Sequence, residues 1–122
     1  MFRALLLILV LFSSLAFSQK KQDLKAYKFF EFGKISNNLL KEKLENFRVE
    51  ILKSSNAQGY IINYGKAAEI ANLEKQIRRS SPRNCGYDGA YCGRIVFLKS
   101  NITKKKNTQF WIVPEGAQPP TP

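Results

Sequence analysis

Two stretches of helical periodicity, each followed by a short aromatic or β-branched run, constrain this chain most. Leu40, Leu44, Phe47 and Ile51 recur at intervals of four, three and four, which puts four large apolar side chains on one helical face. Lys41, Lys43, Glu45 and Arg48 fall off that face. Ser36 or Asn38 is placed to cap the helix start, and SSNAQG at 54–59 stops it. KAAEIANLEKQIRRSSP at 66–82 brings Ala67, Ile70, Leu73 and Ile77 onto one face of a second helix. Arg78 and Arg79 sit in its last turn, where the helix dipole favours cations, and Pro82 marks its end.

The intervening segments read as strands. YKFFEFGKI at 27–35 is aromatic and ends near Gly33, and GYIINYG at 59–65 is a short buried run bounded by glycines. RIVFLK at 94–99 is a third strand. TQFWIV at 108–113 is a fourth, alternating Phe110 and Ile112 against Trp111 and Val113. The polar turn SNITKKKN between the last two predicts a hairpin. The order is β-α-β-α-β-β. Helices alternating with strands imply crossover units joining parallel strands. The expected fold is α+β or α/β, a mixed four-stranded sheet with two helices packed on one face. PEGAQPPTP at 114–122 reads as an extended, proline-rich tail.

The chain opens MFRALLLILVLFSSLAFSQ. One basic residue, an apolar run from Ala4 to Phe12 and small residues before Gln19 form the pattern of a secretory signal peptide over 1–18. The apolar core is short for a membrane span of about 20 residues. Residues 19–26 are a polar basic arm, and 27–113 hold the folded domain. No later apolar run is long enough to span a bilayer, so the expectation is an exported chain, periplasmic or secreted, with no transmembrane segment after cleavage. Removing Arg3 takes the formal charge from +11 to +10. Such a charge favours anionic surfaces.

There are no histidines, which excludes serine–histidine and cysteine–histidine catalysis and histidine-bearing metal sites. No two carboxylates are paired for acid–base work, since Glu42, Glu45, Glu69 and Glu74 fall on exposed helix faces. No catalytic residue, metal site or cofactor is expected. Cys85 and Cys92 are the only cysteines. Two thiols do not close a four-ligand zinc site, and their C-x6-C spacing differs from the C-x-x-C of redox centres. An exported chain with an even cysteine count favours a disulfide. Gly86, Asp88, Gly89 and Gly93 let the intervening loop turn back.

Lys66 follows the second strand, and Lys104, Lys105 and Lys106 lie between the third and fourth. If the second and third strands run parallel, all four lysines gather at one edge of the sheet, where the second helix begins. That edge is a candidate anion-binding site. A solvated turn whose lysines discourage aggregation is the alternative. The aromatic set Tyr27, Phe29, Phe30, Phe32, Tyr60, Tyr64, Phe110 and Trp111 invites comparison with stacking platforms, but its place in strands points to core packing. Asn101-Ile102-Thr103 matches a glycosylation acceptor.

AQGYIINYG, the helix after it, GRIVFL and FWIVPEGAQPPTP together resemble a group of short exported bacterial proteins. That group is similar in turn to the OmpA-like C-terminal domain. The likeness covers about residues 27–122 and rests on the two strand motifs. It implies the β-α-β-α-β order and an envelope setting. Domains of that family typically bind peptidoglycan through an aspartate after the second strand and an arginine in an N-x-x-L-S-x-x-R-A helix. Here KAAEIANLEKQIRR carries no such aspartate, and Arg79 matches one letter of a motif otherwise missing. The scaffold is implied; the family's binding residues are not carried over.

The expected function is therefore a non-enzymatic binding or structural domain of the bacterial envelope. Its expected partner is an anionic cell-wall polymer or another envelope protein, with no specific nucleic acid, and the chain is expected to be monomeric. The alternative is a small cationic secreted effector acting on anionic membranes or competitors.

The cysteine reading yields a first prediction. Intact-mass measurement after alkylation without reductant should find both thiols of freshly exported protein unmodified. Replacing both cysteines by serine should cost about 2–3 kcal/mol of stability, as for closing a short loop. Two alkylated thiols would refute the bridge.

Overall fold

Phe29 and Phe30 are adjacent in sequence, yet both rings reach the same side of a sheet. The computed structural model describes residues 24–80 and 92–122. Its first strand, β1 (Tyr27–Phe32), pairs antiparallel with the last, β4 (Asn107–Val113), and the register shifts between Lys28 and Phe30. A bulge there inserts one residue. The Phe29 ring lies 5.7 Å from Phe47, and that of Phe30 lies 6.2 Å from Phe110. Lys28 and Glu31 consequently share the opposite side, where they form an ion pair at 2.7 Å.

Helix α1 (Asn37–Leu52) follows, capped by Ser36, whose Oγ accepts from the Leu39 amide. Leu40, Leu44, Phe47 and Ile51 are all fully buried, as their spacing predicts. Strand β2 (Gln58–Tyr64) leads to α2 (Ala67–Ser80), which buries Ile70, Leu73 and Ile77 and leaves Ala67 exposed. A 3-10 turn (Cys92–Arg94) enters β3 (Ile95–Ser100). The result is the expected α+β arrangement with a mixed four-stranded sheet.

The strand order is β1-β4-β2-β3. β2 and β3 run parallel, as expected, but β3 and β4 do not form the predicted hairpin. β4 instead lies antiparallel between β1 and β2. Burial accords with this order. β4 alternates as far as Ile112 and buries Thr108, Phe110, Ile112 and also Val113, whereas β3 is half-buried except at the exposed Lys99. The more deeply buried strand lies in the sheet interior and the other at an edge. The six residues 101–106 are ample to carry the chain past the end of β2, since about 3.3–3.6 Å per extended residue exceeds two strand spacings of about 4.8 Å.

The sheet has two unlike faces. A Cβ built on Gly59 would lie 2.5 Å from Ile51 Cδ1, 2.7 Å from Phe47 Cζ and 2.8 Å from Ile95 Cδ1. Gly59, Ile61 and Asn63 therefore look toward the helices, and Tyr60, Ile62 and Tyr64 look away. Cross-strand register extends the division: Phe110 partners Ile61, and Trp111 partners Tyr60. The phenylalanines fulfil the core expectation. Phe110, fully buried, contacts the rings of Phe30, Phe32 and Phe47. Tyr60, Tyr64 and Trp111 correct it, because their strand parity puts them on the face opposite the helices, half-buried.

Arg94 ties the layers together at one end. Its Nε donates to the Ala57 carbonyl at 2.7 Å, and its Nη2 donates to the Ile51 carbonyl at 2.8 Å and to that of Ser54. These are carbonyls at and beyond the end of α1, where a helix leaves its acceptors unpaired. The guanidinium thus closes the helix and fixes where β3 starts. The tail after β4 returns to the same corner, where Asn56 Nδ2 donates to Glu115 Oε2 at 2.8 Å.

At the N-terminal end of β1, the Tyr27 hydroxyl donates to Glu50 Oε1 of α1 at 2.8 Å. Partial burial, then the bond to Glu50 and the carboxylate's charge, push the phenol up to about 12. Lys53 and this tyrosine in turn hold the Glu50 carboxyl below its usual range.

Two predictions follow from this packing. Gly59→Ala should destabilise by about 1–3 kcal/mol in urea unfolding, because three side chains already fill the space and two of them are fully buried. Tyr27 favours its neutral form in the folded state, so its contribution is complete below pH 10 and lost as pH rises toward about 12. Ultraviolet titration should resolve one tyrosine ionising near the upper limit, and Tyr27→Phe should abolish that step.

Candidate functional site

The end of the sheet at which β2 and β3 stop is fixed by backbone contacts. The Gly65 amide donates to the Ser100 carbonyl at 3.3 Å. Gly65 has φ of +137°, a conformation that side-chain-bearing residues rarely adopt. A Cβ there would also lie 3.4 Å from the Lys106 Cα. The glycine thus lets the β3–β4 connection pass close over the end of β2. Lys66 follows at once, and its carbonyl accepts from the Ile70 amide in the first turn of α2.

The four sequence-predicted lysines are accordingly brought to one edge. Lys66, Lys104, Lys105 and Lys106 are all exposed. They are not alike in placement. Lys106 runs beside Gly65, and Lys105 lines a cleft on the face away from the helices. Glu69 reaches the same edge from α2, its Oε2 lying 3.4 Å from the position of a Gly65 Cβ. The edge therefore carries four exposed lysines and one glutamate.

Two residues inside this edge, Thr108 Oγ1 donates to Asn63 Oδ1 at 2.8 Å. Both side chains are buried on the helix face. Among the described residues, Asn63 Nδ2 is a buried amide nitrogen without a hydrogen-bond partner, which costs stability.

The face away from the helices carries a second polar constellation that the strand patterns alone did not single out. A cleft of about 320 Å³ is lined by Glu31, Tyr64, Thr103, Lys105, Asn107 and Gln109. Thr103 Oγ1 accepts from the Lys105 amide at 3.2 Å, which shapes the wall. Glu31, itself exposed, is part of its wall. The hydrogen bond from Lys28 holds its carboxyl below the usual range, helped by that lysine's charge and by Gln109 and Asn107. Gln109 Oε1 in turn accepts from the indole Nε1 of Trp111 at 2.8 Å, and Lys28 Nζ lies 6.0 Å from the Trp111 ring. The alternation of Gln109 and Trp111 against Phe110 and Ile112 was the available signal. It needed the pairing of β4 with β1 to bring Glu31 alongside.

Cys85 of the expected Cys85–Cys92 bridge lies outside the described residues, as do the signal segment and Pro82. Among the described residues, no group of three or more histidine, cysteine, aspartate or glutamate side chains is placed to hold a metal ion. None of the described helices is long and apolar enough to cross a membrane. Glu45 and Glu74 are engaged by Arg48 and Arg78 on their own helices. Comparison with family models, with curated proteins and with solved structures finds no match.

Proposed function

We propose that this chain is an exported, non-enzymatic binding domain of the bacterial envelope that engages an anionic wall polymer through its lysine edge. The observation that carries the reading is the convergence of Lys66 with Lys104, Lys105 and Lys106 around Gly65. Clustered cations at one edge raise the local concentration of anionic ligands, and the first turn of α2 adds unpaired amides and the positive end of its dipole. Glu69 offsets part of that charge. The signal-like opening and the resemblance of the strand motifs to OmpA-like domains support the envelope setting. The scaffold would then be shared with that family while the ligand contacts are its own.

Membrane action by a small cationic effector is the second reading, and one observation favours it. Ile102 is 76% exposed at the tip of the β3–β4 connection, two residues before the lysine run. An apolar tip beside basic residues suits an anionic bilayer surface.

Sedimentation with purified peptidoglycan sacculi carrying their anionic polymers tests the first reading. The protein should pellet at low salt and be released as salt rises. A quadruple Lys66, Lys104, Lys105, Lys106→Ala variant should lose most of that retention. Failure to pellet at low salt, together with sedimentation on anionic liposomes, would favour the second reading.

A further inference from the structure

We infer that the face of the sheet away from the helices is a carbohydrate-binding surface through its half-exposed Tyr60, Tyr64 and Trp111, with the cleft at Glu31, Asn107 and Gln109 as its polar subsite. The inference stands apart from the lysine edge and from export. It begins with parity: Tyr60 and Tyr64 lie on the same face of β2, four residues and so about 13 Å apart. Trp111 is the register partner of Tyr60, and Asn107 is that of Tyr64. An aromatic pair thus stands at one end of the face, and a tyrosine bordering a polar cleft at the other.

A sugar ring asks for this combination. Its C–H faces are apolar and pack on aromatic rings, while its rim of hydroxyls needs donors and acceptors side by side. The cleft offers a carboxylate, two side-chain amides, a phenol and a threonine hydroxyl. Part of this array is ordered in advance. Trp111 is tied to Gln109, and Glu31 is tied to Lys28, at 2.8 and 2.7 Å. A ligand therefore meets side chains whose ordering has largely been done, which favours binding.

Charge separates this ligand from the chain's other candidate partners. Lys28 is engaged by Glu31, so Lys105 is the cation of the cleft that no described ion pair occupies. A polyphosphate strand draws its affinity from many lysine and arginine contacts, and this face does not supply them. An uncharged oligosaccharide suits it.

Trp111 is the chain's single tryptophan, so its emission reports directly on this face. The full chain would be titrated with cellotetraose and with chitotetraose, using oligothymidylate as the competing class. A saturable change in emission with at least one tetrasaccharide, insensitive to salt, is expected. Tyr64→Ala and Asn107→Ala should each weaken it at least about fivefold, as expected for one lost hydrogen-bonding or stacking contact, while Lys66→Ala leaves it unchanged. Thermal melts would establish that the variants are folded. Absence of any change with both sugars, in emission and in amide NMR spectra of the unaltered chain, overturns the proposal. So does binding that survives both folded substitutions, or a stronger, salt-dependent response to oligothymidylate.

Discussion

The insertion of β4 between β1 and β2 is the constraint on which the other features depend. β1 and β2 both run antiparallel to β4, so they are parallel to each other with one strand's width between them. α1 links them, and its apolar face covers the gap. Phe110 fills the centre of that arrangement, with its ring 5.0 Å from Phe47 of α1 and 5.8 Å from Phe32 of β1, edge-on. Without β4 the two N-terminal strands would have no common partner and Phe47 no floor to pack on. The last strand in sequence thus completes the first half of the fold. Pairing of β1 must wait for residues some eighty positions away, which makes the topology strongly non-local.

Much of this was legible in the sequence because burial has a period. The apolar residues of α1 and three of the four expected in α2 are buried where the helical spacing puts them. The strand boundaries fall within a residue or so of the turn signals. Partner choice was not legible. RIVFLK and TQFWIV are separated by a polar turn in either topology, and local pattern does not distinguish a hairpin from a strand that passes over its neighbour. Their difference in burial becomes visible only once β2 has claimed β3 in parallel. Phe29 and Phe30 are a smaller case of the same kind. Strict alternation would put one of them in solvent, and the bulge is set by register against β4.

The candidate sites divide in the same way. The lysine edge was readable because it follows from one topological fact, the parallel run of β2 and β3. The Glu31 constellation was not, since its members come from strands at opposite ends of the chain. Glu31 looks like a surface carboxylate in the run YKFFEF, and Gln109 looks like a polar residue at a strand start. Only the antiparallel pairing that makes them register partners turns them into one hydrogen-bonded group.

The two surfaces also share a structural element, which gives the charge distribution its logic. The connection 101–106 crosses the end of β2, carrying Lys106 past Gly65 and Lys105 into the wall of the cleft on the face away from the helices. A strongly basic chain would ordinarily expose cations on every face. Here Glu31 engages Lys28 on the edge strand β1, while Glu45, Glu50 and Glu74 hold basic partners on or beside the helices. All of these pairs are solvent-exposed and contribute little stability. Their consequence is spatial. They offset part of the positive charge on the helical surface and beside the aromatic residues, while Lys66 and Lys104, Lys105 and Lys106 add a basic edge where β2 and β3 end. A near-neutral sheet face beside a basic edge can meet an uncharged chain and an anionic group together, which neither surface could do alone.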